Sequence, residues 1–77
     1  MENNFTLNIS VTTEIRAGIA RLNISHLEFA IRCGWTSGYL SRRMTGQVAW
    51  STDELQIVAG QLGISAQQLI RPELAAS

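Results

Sequence analysis

The sequence predicts an all-α domain of five short helices, and three observations support this. Apolar residues recur at helical spacing from residue 11 to residue 70. Serine or threonine precedes the later apolar runs, at positions that suit helix N-caps. Glycine or asparagine follows most of them, where a left-handed residue ends a helix. The 77 residues suit one domain, which we divide into an N-terminal extension (1–10), the helical domain (11–71) and a C-terminal tail (72–77).

The first helix is predicted from an apolar stripe at a spacing of three or four residues: Val11, Ile15, Ile19 and Leu22. Ser10 or Thr12 would be its N-cap, and it should end near Asn23. Before it, Phe5, Leu7, Ile9 and Val11 alternate with polar residues, which is the pattern of a short strand. Because a lone strand needs a partner, this segment would pair with a second copy or fold over the second helix. The alternative is a flexible tail.

The second and third helices are predicted from their caps. Ser25 and Glu28 fit a capping box, and Gly34 should end the second helix in a left-handed turn. Thr36 should cap the third helix, which would run to Thr45. A turn of only three residues, 34–36, therefore joins the two helices.

The fourth and fifth helices are predicted in the same way. Ser51 and Glu54 form a capping box before the clearest apolar stripe, and Gly63 ends that helix. Ser65 and Gln68 begin the fifth helix, which Pro72 should terminate.

Residues 15–70 resemble the lambda-repressor-like, or Cro-type, helix-turn-helix family. Ala30, Gly34 and Leu40 have the family's spacing, and the stretch GWTSGYLSRRMTG at residues 34–46 fits its turn and third helix. The resemblance implies that helices 2 and 3 pack through Phe29, Ala30, Gly34, Trp35 and Leu40. Trp35 should be mostly buried, and Trp50 half exposed.

The sequence also departs from the family. A charged pair that often links helices 1 and 3 is replaced by Ile19 and Met44, and an apolar pair is a sensible substitute. His26 stands where glutamine is common, and Arg43 stands where an apolar residue is usual.

In this family helix 3 enters the DNA major groove. The resemblance then implies four base-contacting residues: Ser37, Gly38, Ser41 and Arg42. Arginine can bind guanine bidentately, which makes Arg42 the main candidate for base recognition. The backbone-contact candidates are Ser25, His26, Thr36, Tyr39, Arg43, Gln47 and Thr52. Arg43 could instead pair with an acidic residue such as Glu54. Gly38 could instead be a glycine that the first turn of helix 3 tolerates without any role at DNA.

Composition limits the other function classes. All six basic residues are arginine and the net charge is zero, which argues against a non-specific nucleic-acid coat protein. We expect no enzyme, no cofactor, no metal site and no small-molecule ligand, because the sequence shows no nucleophile–base pair, carboxylate dyad or phosphate loop. No stretch is apolar enough for a membrane span, so we expect a cytoplasmic protein. Cys33 is expected to be a small core residue.

The sequence therefore predicts a double-stranded DNA-binding regulator, similar to a phage or prophage repressor or Cro protein, that occupies an inverted-repeat operator as a homodimer. The alternative is a protein-interaction module on the same fold, such as an antitoxin or an inhibitor of a host factor. Candidate dimer or partner contacts are the apolar residues outside the expected core: Phe5, Leu7, Ile9, Leu27, Ile31, Leu69 and Ile70.

Overall fold

The structure, a computed structural model, describes the backbone of residues 4–71 and the side chains of residues 8–71. Five α-helices follow one another along the chain and form a compact domain, and residues 4–71 contain no strand. They are α1 (Asn4–Leu22), α2 (His26–Cys33), α3 (Ser37–Met44), α4 (Thr52–Leu62) and α5 (Ala66–Ile70). The predicted all-α class with five helices is confirmed.

One core is shared by all five helices. α1 packs against α4 and α5, while α2 packs against α3 and α4. The side chains at the centre are almost fully buried: Val11, Ile15, Ile19, Phe29, Leu40, Val58 and Leu69. Gly18 allows α1 to approach α4 closely, because a Cβ atom there would lie 2.9 Å from Leu62 Cδ1.

The local signals for helix ends are confirmed in most cases. Ser51 with Glu54 and Ser65 with Gln68 each form a complete capping box. Gly34 and Gly63 end α2 and α4 in the left-handed conformation, with φ of 81° and 74°. Asn23 has φ of 58° at the end of α1, a conformation that asparagine tolerates better than most residues.

The capping box predicted at the start of α2, from Ser25 and Glu28, is only half formed. Ser25 accepts the backbone N–H of Glu28 at 3.0 Å, as expected. The Glu28 carboxylate instead accepts Arg32 Nε one turn further along α2, at 3.2 Å. Both side chains are close to half exposed, so this pair is an ordinary surface interaction along one helix.

The predicted N-terminal strand is wrong, since α1 already begins at Asn4. Neither Ser10 nor Thr12 is therefore an N-cap. Asn8 and Thr12 are four residues apart and both contact Trp50: Asn8 Oδ1 accepts its backbone N–H at 2.9 Å, and Thr12 Oγ1 accepts its indole N–H at 3.0 Å. A helix places residues four apart on one face, whereas the short alternating pattern was equally compatible with a strand.

The expected half exposure of Trp50 is wrong as well. Trp50 is buried, with 9% of its surface exposed, because α1 holds both its backbone and its ring. Trp35 has an intermediate exposure and packs against the core, in line with the expectation that it is mostly buried. One side of its ring system lies near Tyr39, with ring centroids 5.0 Å apart.

Candidate nucleic-acid interface

The turn between α2 and α3 is short and held by several hydrogen bonds. Gly34 takes the left-handed conformation, and Trp35 donates its backbone N–H to Ala30 O at 2.8 Å. Thr36 then has extended dihedral angles, and its hydroxyl accepts the backbone N–H of Tyr39 at 3.0 Å. These bonds fix the direction in which α3 leaves α2, and the residues that make them are the ones the sequence marks as caps.

The side of α2 and α3 that faces the core is apolar and buried. Phe29 and Ala30 are fully buried in α2, and Leu40 is 1% exposed in α3. Met44, which belongs to the same core cluster as Ile19, is 7% exposed. Phe29, Ala30 and Leu40 are thus buried in the core, and Trp35 packs against it.

The outer side of α3 presents small polar residues and one arginine. Ser37, Ser41 and Arg42 are exposed, and Gly38 is half-buried. The Arg42 guanidinium makes no hydrogen bond or ion pair with the described residues. It lies back over the first turn of α3, since a Cβ atom on Gly38 would be 3.5 Å from Arg42 Nη1. Nothing inside the protein therefore requires glycine at position 38.

Arg43 is held inside the protein, unlike its neighbour. Its Nε donates to Glu54 Oε2 at 3.1 Å, and its Nη1 donates to the backbone oxygen of Tyr39 at 3.2 Å. The guanidinium also lies 3.7 Å from the centre of the Tyr39 ring, a cation–π distance. Only 12% of the Arg43 side chain is exposed. The pairing with Glu54 considered from the sequence is the arrangement that forms.

Glu54 is the centre of this network. It accepts the Tyr39 hydroxyl and Arg43 Nε, and its other oxygen accepts the Ser51 backbone N–H at 2.9 Å. Burial would raise the pKa of the Glu54 carboxyl, but the bonds from Tyr39 and Ser51 and the charge of Arg43 together lower it. The hydrogen bond to Glu54 raises the pKa of the Tyr39 phenol. α3 is thus tied to the start of α4 by a charged carboxylate.

The predicted backbone-contact residues fall into two groups. Five have exposed side chains at the starts of α2, α3 and α4 or in the loop before α4: Ser25, His26, Thr36, Gln47 and Thr52. Tyr39 and Arg43 instead point toward Glu54, so the structure gives both an internal role.

Sequence reasoning missed Arg16. This residue is exposed on α1 and borders a cleft with the start of α2 and the side of α3. Its guanidinium has no hydrogen bond or ion pair with any residue that the structure describes. Asn8, Thr12 and Arg16 recur at a helical spacing of four, and this pattern could have indicated Arg16. It was hidden because a strand was predicted over the residues around Asn8.

Exposed apolar residues mark the candidate partner contacts. Leu27 and Ile31 are 56% and 60% exposed on α2, and Ile9 is 53% exposed on α1. Ile70 is 39% exposed. Leu69 is fully buried, so its predicted partner contact is wrong, because α5 turns that side chain into the core. The side chains of Phe5 and Leu7 lie outside the described residues.

Other kinds of site were sought among the described residues. None of their His, Cys, Asp and Glu side chains form a group of three that could hold a metal ion. None of the helices in this part of the chain is long and apolar enough to cross a membrane. Cys33 is partly buried, and burial raises the pKa of its thiol to about 11. A thiol with a raised pKa is a poor nucleophile at neutral pH.

No family model matches the chain, and neither a curated protein nor a solved structure matches it significantly.

Proposed function

We propose that the protein is a sequence-specific double-stranded DNA-binding regulator in which α2 and α3 act as a helix-turn-helix. One observation carries the proposal: α3 presents Arg42 without a partner among the residues that the structure describes, beside small polar residues and with no carboxylate in the helix. Placing a bare guanidinium on a rigid helix suits recognition of guanine, whose O6 and N7 accept two parallel bonds.

The roles of the residues follow from their positions. Arg42 binds a base edge, while the Ser37 and Ser41 hydroxyls bind neighbouring base edges or bridging waters. Gly38 lets the backbone of α3 approach the groove, as no internal packing accounts for it. Side chains around α3 bind phosphates and fix the orientation of the helix: Ser25, His26, Thr36, Gln47 and Thr52.

The zero net charge is compatible with this function because the positive and negative charges are distributed unevenly over the described residues. Glu28 pairs with Arg32 and Glu54 with Arg43. The face formed by α3 and the neighbouring cleft carries Arg42 and Arg16 and no acidic residue. Specific binding depends on charge at this face rather than on the sum over the chain.

Operator occupancy is the mechanism we propose. A homodimer would place two copies of α3 in successive major grooves, about 34 Å apart, on an inverted repeat. Regulators of this kind, such as the phage and prophage repressors and Cro proteins that the sequence resembles, act in the bacterial cytoplasm. Ile9, Leu27, Ile31 and Ile70 remain the exposed apolar candidates for the dimer contact.

Selection from a random pool of DNA duplexes tests the proposal. The folded protein should enrich a defined sequence arranged as an inverted repeat, at a salt concentration near 0.1 M, where charge interactions over more than about 10 Å are largely screened. Failure of the folded protein to enrich any duplex, even at low salt, would overturn the proposal.

A protein-interaction module is the second candidate. It is favoured by Leu27 and Ile31, two large apolar side chains one helical turn apart that are more than half exposed. DNA binding by the wild-type protein discriminates between the functions, because an interaction module shows none. Replacing both residues with glutamine then tests their role in a DNA-binding regulator: DNA affinity falls if they form the dimer contact and is unchanged if that contact lies elsewhere.

A further inference from the structure

Two of the three residues in the polar stripe on α1 (Asn8, Thr12 and Arg16) make hydrogen bonds within the protein. Asn8 and Thr12 hold Trp50 through its backbone N–H and its indole N–H. Arg16, one turn further along the same face, is exposed and contacts no acidic residue among those described. The stripe thus ends in Arg16, whose positive charge has no ion-pair partner among the described residues.

Arg16 forms one wall of an open cleft, and three helices contribute to it. The other polar side chains at its border are His26 from α2, Ser37 and Ser41 from α3, and Thr45, which directly follows α3. Leu40 and Met44 also line the cleft and are almost fully buried, so its base is part of the core. No Asp or Glu lines the cleft. A guanidinium with several hydroxyls and no carboxylate is suited to a phosphate group.

The position of the cleft relative to α3 identifies the source of the phosphate. Gly38 borders the cleft and also lies under the Arg42 guanidinium, so the cleft continues directly into the outer face of α3. A helix inserted in the major groove has a sugar–phosphate backbone on each side. Side chains that flank such a helix therefore meet phosphates, and α2 begins at His26, which adds the positive end of its dipole.

We infer that Arg16 binds a backbone phosphate of the duplex in the cleft between α1, α2 and α3, so that α1 is a third DNA-binding element. This inference rests on the proposed DNA-binding function. It assigns to Arg16 a contact that orients the protein on DNA and carries no information about base sequence.

The salt dependence of binding tests the inference. The probe is the duplex that the wild-type protein enriches from a random pool, and affinity is measured at several salt concentrations. Loss of one phosphate contact should reduce the slope of log affinity against log salt by about 0.9. Arg16→Ala should show this reduction with unchanged base preferences, and Arg16→Lys should keep the wild-type slope because it keeps the point charge.

Arg21→Ala is the matched control, since Arg21 is another exposed arginine of α1 that lies outside the cleft. It should bind with the wild-type slope. An unchanged slope in Arg16→Ala, or an equal reduction in both variants, would overturn the inference while leaving the proposed function standing. Arg16→Gln, which keeps most of the side-chain stem, replaces Arg16→Ala should the latter not fold. If the wild-type protein binds no duplex, both proposals fail.

Discussion

Arg42 and Arg43 are neighbours on α3 but have opposite surroundings. Arg43 is nearly buried and bound to Glu54 and to the Tyr39 ring and backbone, whereas Arg42 is exposed and has no partner among the described residues. The difference follows from the helix period, because residues next to each other point about 100° apart and face different neighbours. Identical side chains in sequence therefore take different roles, one positioning α3 and the other available to a ligand.

The largest expected effect is a difference in protein stability between the Arg43 and Arg42 variants. Arg43→Ala should lower the free energy of unfolding by about 1.5–3 kcal/mol, because it removes charged hydrogen bonds and leaves the buried Glu54 carboxylate without its counter-ion. Arg42→Ala should change it by less than about 0.5 kcal/mol, as expected for an exposed residue. Urea unfolding of both variants measures this. Equal losses would contradict the division of roles.

Glu54→Gln tests the other side of the same network and should cost about 1–2 kcal/mol near pH 7. The folded-state pKa of Glu54 is lowered from 4.5, so the ionised carboxylate stabilises the protein above that pH. This stabilisation is lost as the pH falls through the lowered folded-state pKa. The difference between wild type and variant should therefore narrow in acid.

Glu28→Gln is the control for that experiment, because the Glu28–Arg32 pair joins side chains that are close to half exposed. An exposed pair along one helix contributes about 0.3–0.5 kcal/mol. A difference between wild type and Glu54→Gln that stays constant from pH 7 to pH 3 would show that the charge of Glu54 does not stabilise α3.

A stability effect of the opposite sign is expected at two helical glycines. Gly38 in α3 meets only the end of the Arg42 side chain, and Gly60 in α4 has open space around its position. Alanine at either position should raise the free energy of unfolding by about 0.5–1 kcal/mol. Only Gly38→Ala should weaken DNA binding. Equal binding by both variants would mean that Gly38 is tolerated in the first turn of α3 rather than required at the groove.

Local signals in the sequence were enough to predict much of the fold. The ends of α2 to α5 depend on neighbouring residues, such as Ser51 with Glu54 or Gly34 after α2, and these were read correctly. The first part of α1, for which the sequence predicts a strand, contacts Trp50 through Asn8, a residue 42 positions away that no local pattern takes into account. The burial of Leu69 likewise depends on packing between α5 and α1, which no local pattern specifies.

The candidate site shows the same division. Arg42 and the small polar residues of α3 could be placed by their order along a single helix. The pairing of Arg43 with Glu54 was one of two alternatives, because the sequence does not show how α3 faces α4. Arg16 was missed, since its cleft forms only when three helices pack together.

The most direct test of the central claim is a base-by-base affinity measurement on the enriched duplex, with wild type, Arg42→Ala and Arg43→Lys. Each base pair is substituted in turn. The wild-type protein should lose about 1–3 kcal/mol at one guanine of each half-site, and Arg42→Ala should show no preference there. Arg43→Lys should keep the wild-type preferences. If Arg42→Ala retains every base preference of the wild type, Arg42 does not read DNA and the proposed role of α3 is wrong.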